Sequence, residues 1–288
     1  MSHNHGHGKK LGWTIILNII ITIAQYIGGI VSGSLALISD ASHNLSDVLS
    51  LILGYIGEKF SHKGPSRRHS FGFKRVEIFT ALINALALVA IAFYILFEAY
   101  KRLNSPREIS LGLMFGIGSI GLIGNFVSIL ILNKEKESSV NMRAAYLHLF
   151  YDTISSLFVI TGAAIIYFTN YIFIDIIASL IIALMIFYSS FDVIKTCLHI
   201  FMQGVPEGID INEVYNFIMS MEGVEDVHNL HIWAINSRDF FLSCHICIGN
   251  NYKHKTDEFI KKINELVKEK FHIEHTSVQI ERSNICQS

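Results

Sequence analysis

His43-Asn44-Leu45-Ser46-Asp47-Val48-Leu49-Ser50 recurs, in type and spacing, as His148-Leu149-Phe150-Tyr151-Asp152-Thr153-Ile154-Ser155. Both stretches read H-x-x-x-D-x-x-S, and both lie inside long apolar runs. Residues four apart share one face of a helix, so each copy turns an imidazole and a carboxylate in one direction. Two such helices facing each other would offer two nitrogens and two oxygens, a donor set that suits tetrahedral zinc. A solvated helix face is a poor account of this repeat, because ionisable groups inside a membrane are costly and usually functional.

The charges fit a cargo that alternates with protons. Two ionised aspartates are cancelled by one divalent cation. Without the cation, desolvation and mutual repulsion of the carboxylates favour protons at the empty site, most readily on histidine and shared with aspartate. A site that holds either metal or protons is the core of a metal/proton exchanger.

Composition places these stretches in a lipid bilayer. Of 288 residues, 51% are hydrophobic and only 16% charged, and the mean hydropathy is +0.43, whereas soluble domains carry roughly a quarter charged residues. The net charge of −1 offers nothing to a nucleic acid. Six apolar runs, at roughly 11–31, 36–57, 76–100, 109–132, 141–168 and 171–195, each approach the length that crosses a bilayer. The first is long for a signal peptide and lacks a small-residue cleavage site, so it reads as a retained span. Residues 1–10, MSHNHGHGKK, read as a disordered cytosolic tail whose His3, His5 and His7 are either loose metal donors or simply solvated.

The loop 59–75 holds Lys59, Lys63, Arg67, Arg68, Lys74 and Arg75 and no acid, which places it in the cytoplasm. Six spans then put both termini there, in a multi-pass protein of the cell membrane. Lys101, Arg102 and Arg107 fall outside under this scheme, against the trend, with Glu98 and Glu108 flanking them. The two repeats run in opposite directions with three spans between equivalent positions, which suggests an inverted repeat with its site at midplane. Asp40, one turn before His43, is a candidate to orient it, and Asn125 a candidate for similar work. Glu77, Asp175 and Asp192 lie near span ends, where the interface explains them.

The domains expected are a tail at 1–10, a six-helix transmembrane domain at 11–200, a cytosolic domain at 205–283 and a C-terminal tail at 284–288. Beyond Gly204-Val205-Pro206-Glu207-Gly208, residues 210–221 read as a helix, 224–235 and 239–248 as strands, 253–271 as an amphipathic helix and 273–282 as a strand. The order αββαβ is that of a small α+β domain. Strand alternation puts Leu242, Cys244, Ile246 and Ile248 on one face and His245 and Cys247 on the other. The same reasoning turns His231, His275 and Glu281 away from the apolar faces. These four donors form a candidate second metal site, with Cys286 or His272 adjoining; scattered surface histidines are the plainer alternative. Cys244-x-x-Cys247 has zinc or redox spacing, but on a strand its sulfurs point to opposite sides. The four cysteines, Cys197, Cys244, Cys247 and Cys286, are expected to stay reduced in a cytosolic setting.

SDASHNLSDVLS, HSFGFKRVEIFTALIN, HLFYDTISS, MQGVPEGID, HNLHIW and IEHTSVQIE, in this order, resemble the cation diffusion facilitators over nearly the whole chain. The resemblance implies a homodimer of six spans per subunit with a cytosolic metallochaperone-like domain, exporting zinc and related divalent ions in exchange for protons. It carries the transport site onto His43, Asp47, His148 and Asp152, and the tail metal positions onto His231, His245, His275, Glu281 and Cys286. His62 and His69 in the basic loop are not matched to a motif. Many bacterial relatives have aspartate in place of His43 and also take cadmium, so His43 implies the zinc-preferring subgroup. Cobalt, nickel, iron and cadmium remain further candidate ions, since affinity order alone does not set selectivity.

Two other classes compete. A membrane-anchored metal sensor would leave the paired H-x-x-x-D stretches unexplained. An intramembrane zinc protease would need a general base beside the metal, as in H-E-x-x-H, and the sequence has no such motif. An enzyme is therefore not expected.

Overall fold

The computed structural model describes residues 4–61, 64–105, 107–133, 140–249 and 256–282. Six long helices come first: α1 (Asn4–Ser32), α2 (Leu35–Ser61), α3 (Val76–Asn104), α4 (Leu111–Asn133), α5 (Val140–Thr169) and α6 (Phe173–Phe201). The order α7 (Ile211–Met219), β1 (Val224–Ala234), β2 (Phe240–Ile248), α8 (Thr256–Phe271), β3 (His275–Arg282) follows. The chain divides into two compact units, Met1–Tyr55 with Ile83–Val193, and Ile56–Leu82 with Ile194–Ser288.

Among the described residues four helical stretches, Val76–Asn104, Leu111–Ile131, Leu149–Thr169 and Phe173–Phe201, are long and apolar enough to cross a membrane. Asn18–Ser32 of α1 is a shorter apolar stretch, and α2 is diluted by Asp40, His43, Asn44 and Asp47. Helix α1 begins at Asn4, which corrects the expectation of a disordered tail over residues 4–10. No proline interrupts 4–32, and each residue added to a nucleated helix gains a hydrogen bond.

In the first unit polarity is inverted relative to a soluble bundle. Phe93, Phe126, Phe158 and Phe191 stand exposed, while Gln25, Asp40, Asn44, Asn125, Asp152 and Ser156 are buried. An apolar exterior around a polar interior is what a lipid solvent selects. Gly33 makes the turn into α2 at φ +73°, and a Cβ there would lie 3.0 Å from the Glu108 carbonyl oxygen.

Asp175 near the start of α6 caps α2 from another helix. Its carboxylate accepts from the Ser34 hydroxyl (2.6 Å) and from the backbone N–H of Leu35 (2.7 Å) and Ala36 (3.2 Å). A carboxylate there satisfies N–H groups that have no partner within the helix and lies at the positive end of its dipole. Arg102 stands beside it, 3.8 Å from Asp175 and 3.4 Å from Glu98, and also donates to the Gly33 carbonyl. The arginine that runs against the expected charge trend is thus a buried, neutralised structural residue.

The tail has its own core. Val214 and Ile218 of α7, and Phe259, Ile263, Val267 and Phe271 of α8, pack on Leu242, Cys244, Ile246 and Ile248 of β2. The α8 residues recur every fourth position, one stripe of that helix. Asp210 caps α7 by accepting from the Asn212 N–H at 2.8 Å. The sheet order is β1-β2-β3, with β1 antiparallel and β3 parallel to β2. The αββαβ order and the core face of β2 are as expected from the alternation.

Two irregularities in β1 matter for function. Between Val224 and Asp226, and again between His228 and His231, β1 holds one residue more than β2 opposite it. These are β-bulges, each adding a residue without advancing the ladder. The second contains Asn229 at φ +50°, a left-handed conformation that asparagine tolerates better than most residues.

Candidate metal centres

His43 on α2 and Asp152 on α5 approach across the helix interface, Nε2 to Oδ1 at 3.9 Å. The Asp152 side chain is fully buried and that of His43 partly exposed. Asp47 and His148 lie on the same two helices, one turn from these residues; their side chains lie outside the described residues. A carboxylate and an imidazole enclosed by apolar helices present oxygen and nitrogen to a divalent cation at close range.

Beside this pair lies a polar network that joins three helices. Asp40, with no exposed surface, accepts from Gln25 of α1 at 2.8 Å, from Ser156 of α5 at 3.4 Å, and from Ser155. Asn44 donates to Gln25 at 3.0 Å. Asp40 therefore ties α2 to α1 and α5 one turn from His43 and fixes the helix frame that carries the imidazole. Asn84 of α3 also donates to Ser46 at 3.1 Å. Ser155, the last position of the second repeat, and Ser46, a variable position within the first, thus do packing work around the paired donors.

The outer face of the tail sheet forms four rows. Strand pairing sets Trp233, Phe241 and His275 in one; His231, Ser243 and Ser277 in the next; His228, His245 and Gln279 in the third; and Asp226, Cys247 and Glu281 in the fourth. His245 Nδ1 lies 2.9 Å from Glu281 Oε1, and His228 Nε2 lies 3.4 Å from Glu281 Oε2. His228 Nδ1 is 3.1 Å from Asp226 Oδ2, and the two imidazoles are 5.2 Å apart. Gln279 donates to Glu281 at 2.8 Å. The donor atoms of His228, His245 and Glu281 all lie within 4.8 Å of one another, as do those of Asp226, His228 and Cys247. Two imidazoles and a carboxylate at that spacing fit zinc.

This differs from the set read off the alternation. His231 and His275 do face away from the core, but in other rows. His231 is exposed opposite Ser243. His275 stacks on Phe241 at 4.5 Å, which in turn stacks on Trp233 at 5.7 Å. At about 3.3 Å per residue along a strand, His275 is some four residues from the His245 row, beyond the reach of a shared ion. His228 takes the vacated role. Simple alternation assigns it to the core face with Leu230 and Ile232, and the bulge at Asn229 reverses that. His272 ends α8 as a left-handed residue and is no part of the cluster. Cys286, the N-terminal His3 and the loop His62 lie outside the described residues, as do the side chains of His5 and His7. His69 lies tilted against Phe73, with ring centres 4.6 Å apart.

The cysteines separate as the strand geometry requires. Cys244 faces the core, and burial pushes its thiol up to about 12, so it stays protonated and does not bind metal. Cys247, on the outer face, is disulfide-bonded, which corrects the expectation that it stays a reduced thiol. A disulfide sulfur is not a thiolate, so in this state the metal-binding set is His228, His245 and Glu281 rather than the one containing Cys247.

The basic loop meets this domain. Lys74 pairs with Asp239 at 2.9 Å, Phe71 sets its edge on Phe241 at 5.4 Å, and Ser237 donates to Glu77.

Comparison with known proteins gives two consecutive matches. Residues 13–202 match the cation efflux transmembrane domain, and residues 206–283 the cytoplasmic domain of cation efflux proteins. The chain is 36% identical over 287 residues to a cadmium, cobalt and zinc/H(+)-K(+) antiporter of Bacillus subtilis, covering 98% of this chain and 92% of that one. It is 35% identical to the metal cation efflux system protein CzcD of Cupriavidus metallidurans, covering 97% and 89%. It is 30% identical to the zinc transporter ZitB of Escherichia coli, covering 98% and 93%.

Proposed function

The chain belongs to the cation efflux family, and from that premise we propose that this multi-pass membrane protein is a divalent cation/proton antiporter that exports zinc from the cytosol. The observation that carries the reading is the pair His43–Asp152, 3.9 Å apart between two helices with the carboxylate fully buried. Asp47 and His148 complete the four-donor transport site, one turn away on the same helices. The cation neutralises the two carboxylates when bound, and protons replace it when it leaves. Zinc therefore runs against protons through one set of side chains alternately open to either side of the membrane.

The antiporter of Bacillus subtilis, CzcD and ZitB are named for such traffic, which supports the same chemistry here. Two of the curated relatives have cadmium in their names, so cadmium stays a candidate cargo beside cobalt, nickel and iron. The proposal that His43 restricts cadmium is checked by the cadmium-to-zinc rate ratio of His43→Asp, expected to rise. The tail binds regulatory zinc through His228, His245 and Glu281, and two copies of the chain pair as a homodimer. Both termini lie in the cytoplasm. The contact of the basic loop with the tail sheet supports that side for both.

The test is zinc uptake by sealed vesicles containing the purified protein. Flux is expected to follow an imposed pH gradient and to vanish when the gradient is collapsed. Zinc movement at the same rate in both conditions excludes coupling. Metal binding without flux would favour a membrane sensor.

A further inference from the structure

Helices α1, α4 and α5 are held in a register that can be read from their glycines. A Cβ at Gly118 of α4 would lie 3.1 Å from Ile160 and 3.6 Å from Val159 of α5, and one at Gly121 would lie 3.5 Å from the Ser156 hydroxyl. Each step forward on α4 is thus matched by an equal step back on α5. The same holds against α1. Gly28 abuts Ile117, Gly121 abuts Gln25 and Gly124 abuts Ile21. Four residues make about one turn and return to the same face. The next step beyond Gly121 and Ser156 therefore sets Asn125 level with Asp152, and the step after it sets Ser128 level with Asn18.

Asn125 is fully buried, and among the described residues neither its amide nitrogen nor its amide oxygen has a hydrogen-bond partner. In a helix with few polar residues this is an expensive side chain to keep, since leucine would fill similar space with no polar atom to satisfy. Its neighbours along the polar strip, the Ser128 hydroxyl and the Asn18 amide oxygen, are buried and unpartnered too. Gln25, one turn nearer the opposite end of the strip, is by contrast fully engaged with Asp40 and Asn44. Polar groups left open in lipid-embedded helices face a pathway for something polar.

We infer that Asn125 contacts the cation, its amide oxygen serving as a neutral oxygen donor from α4 beside the Asp152 carboxylate of α5. The inference rests on the transport reading above and names a residue outside the two H-x-x-x-D repeats. Zinc takes oxygen donors and can expand from four ligands to five, so an amide oxygen at this level helps strip water from the entering ion. Being uncharged, it neither carries a proton nor changes the charge balance of the site. Its loss alters the zinc concentration needed for transport and leaves proton coupling alone.

The experiment uses the full chain in vesicles, with zinc uptake measured against zinc concentration under a fixed pH gradient. For Asn125→Leu we expect a zinc KM raised at least tenfold, an unchanged pH profile at saturating zinc, and a thermal unfolding midpoint in detergent no lower than the native one. An Asn125→Leu protein with native KM overturns the proposal. Asn125→Asp, of the same shape, is the second arm. Its added charge next to the cation should lower the zinc KM and move flux to higher pH, and a native KM and pH profile there overturn the proposal even where the leucine variant fails to fold. A native protein that moves no zinc in the same vesicles sinks the transport reading itself, whereas native flux with indifferent variants sinks only this assignment.

Discussion

The two clusters of histidine and carboxylate in this chain stand on scaffolds that respond differently to a single residue. In the membrane unit the donors lie four apart on continuous helices, and which of them share a helix face follows from the period alone. In the tail they lie on three strands, and two bulges in β1 decide which histidines meet. The helical cluster is rigid by repetition; the strand cluster depends on one left-handed residue, Asn229. A helix carries a local spacing faithfully into space, and a strand does so only while its ladder is unbroken.

The largest effect is expected at the helical cluster. Asp152→Ala should lower zinc flux by at least about 100-fold, since even an indirect partner of a metal ligand is worth 10–100-fold. The protein should still fold, because removing a buried carboxylate also removes its desolvation cost. Unchanged flux in a folded Asp152→Ala protein would remove that cluster from the comparison altogether.

The helix frame itself comes next. Asp175→Ala takes away the cap of α2 and leaves Arg102 with Glu98 alone in a buried setting. Losing the cap and one of two partners of a buried cation, with Glu98 still in place, costs about 1–3 kcal/mol. The unfolding midpoint in detergent should fall accordingly, with Asp175→Asn falling less because its amide oxygen still accepts from the α2 N–H groups. Equal stability of native and alanine proteins would mean that α2 needs no cap from α6.

Zinc titration of the full chain separates the two readings of the tail. His228→Ala should weaken tail zinc binding by roughly 10–100-fold, while His231→Ala and His275→Ala leave it intact. The reverse order would restore the set inferred from plain alternation and deny the bulge its role.

The smallest effect tests the bulge directly. Asn229→Val places a β-branched side chain at positive φ and should cost the tail about 1–2 kcal/mol, with zinc binding weakened in proportion. Asn229→Gly should stay within about 1 kcal/mol of native. Thermal unfolding with and without zinc reads both.

Much was legible in the sequence because the physics was local. Bilayer-length apolar runs, the four-residue spacing of His43 with Asp47 and of His148 with Asp152, and the alternation of β2 each follow from a period acting over one element. The αββαβ order and the core stripe of α8 followed in the same way, as did the opposite orientation of Cys244 and Cys247. The rest came from contacts between distant residues. Asp175 looks like an interfacial acid until it caps a helix 140 positions earlier in the chain. Arg102 looks like a misplaced loop charge until Glu98 and Asp175 enclose it. His228 looks like a core-face residue until the bulge at Asn229 turns it onto His245 and Glu281. Composition and periodicity determined a membrane chain with a paired H-x-x-x-D motif and a small α+β tail. Tertiary structure alone decided which donors meet, because a meeting between strands or helices depends on register, and register is set by caps, bulges and close glycine contacts far apart in the chain.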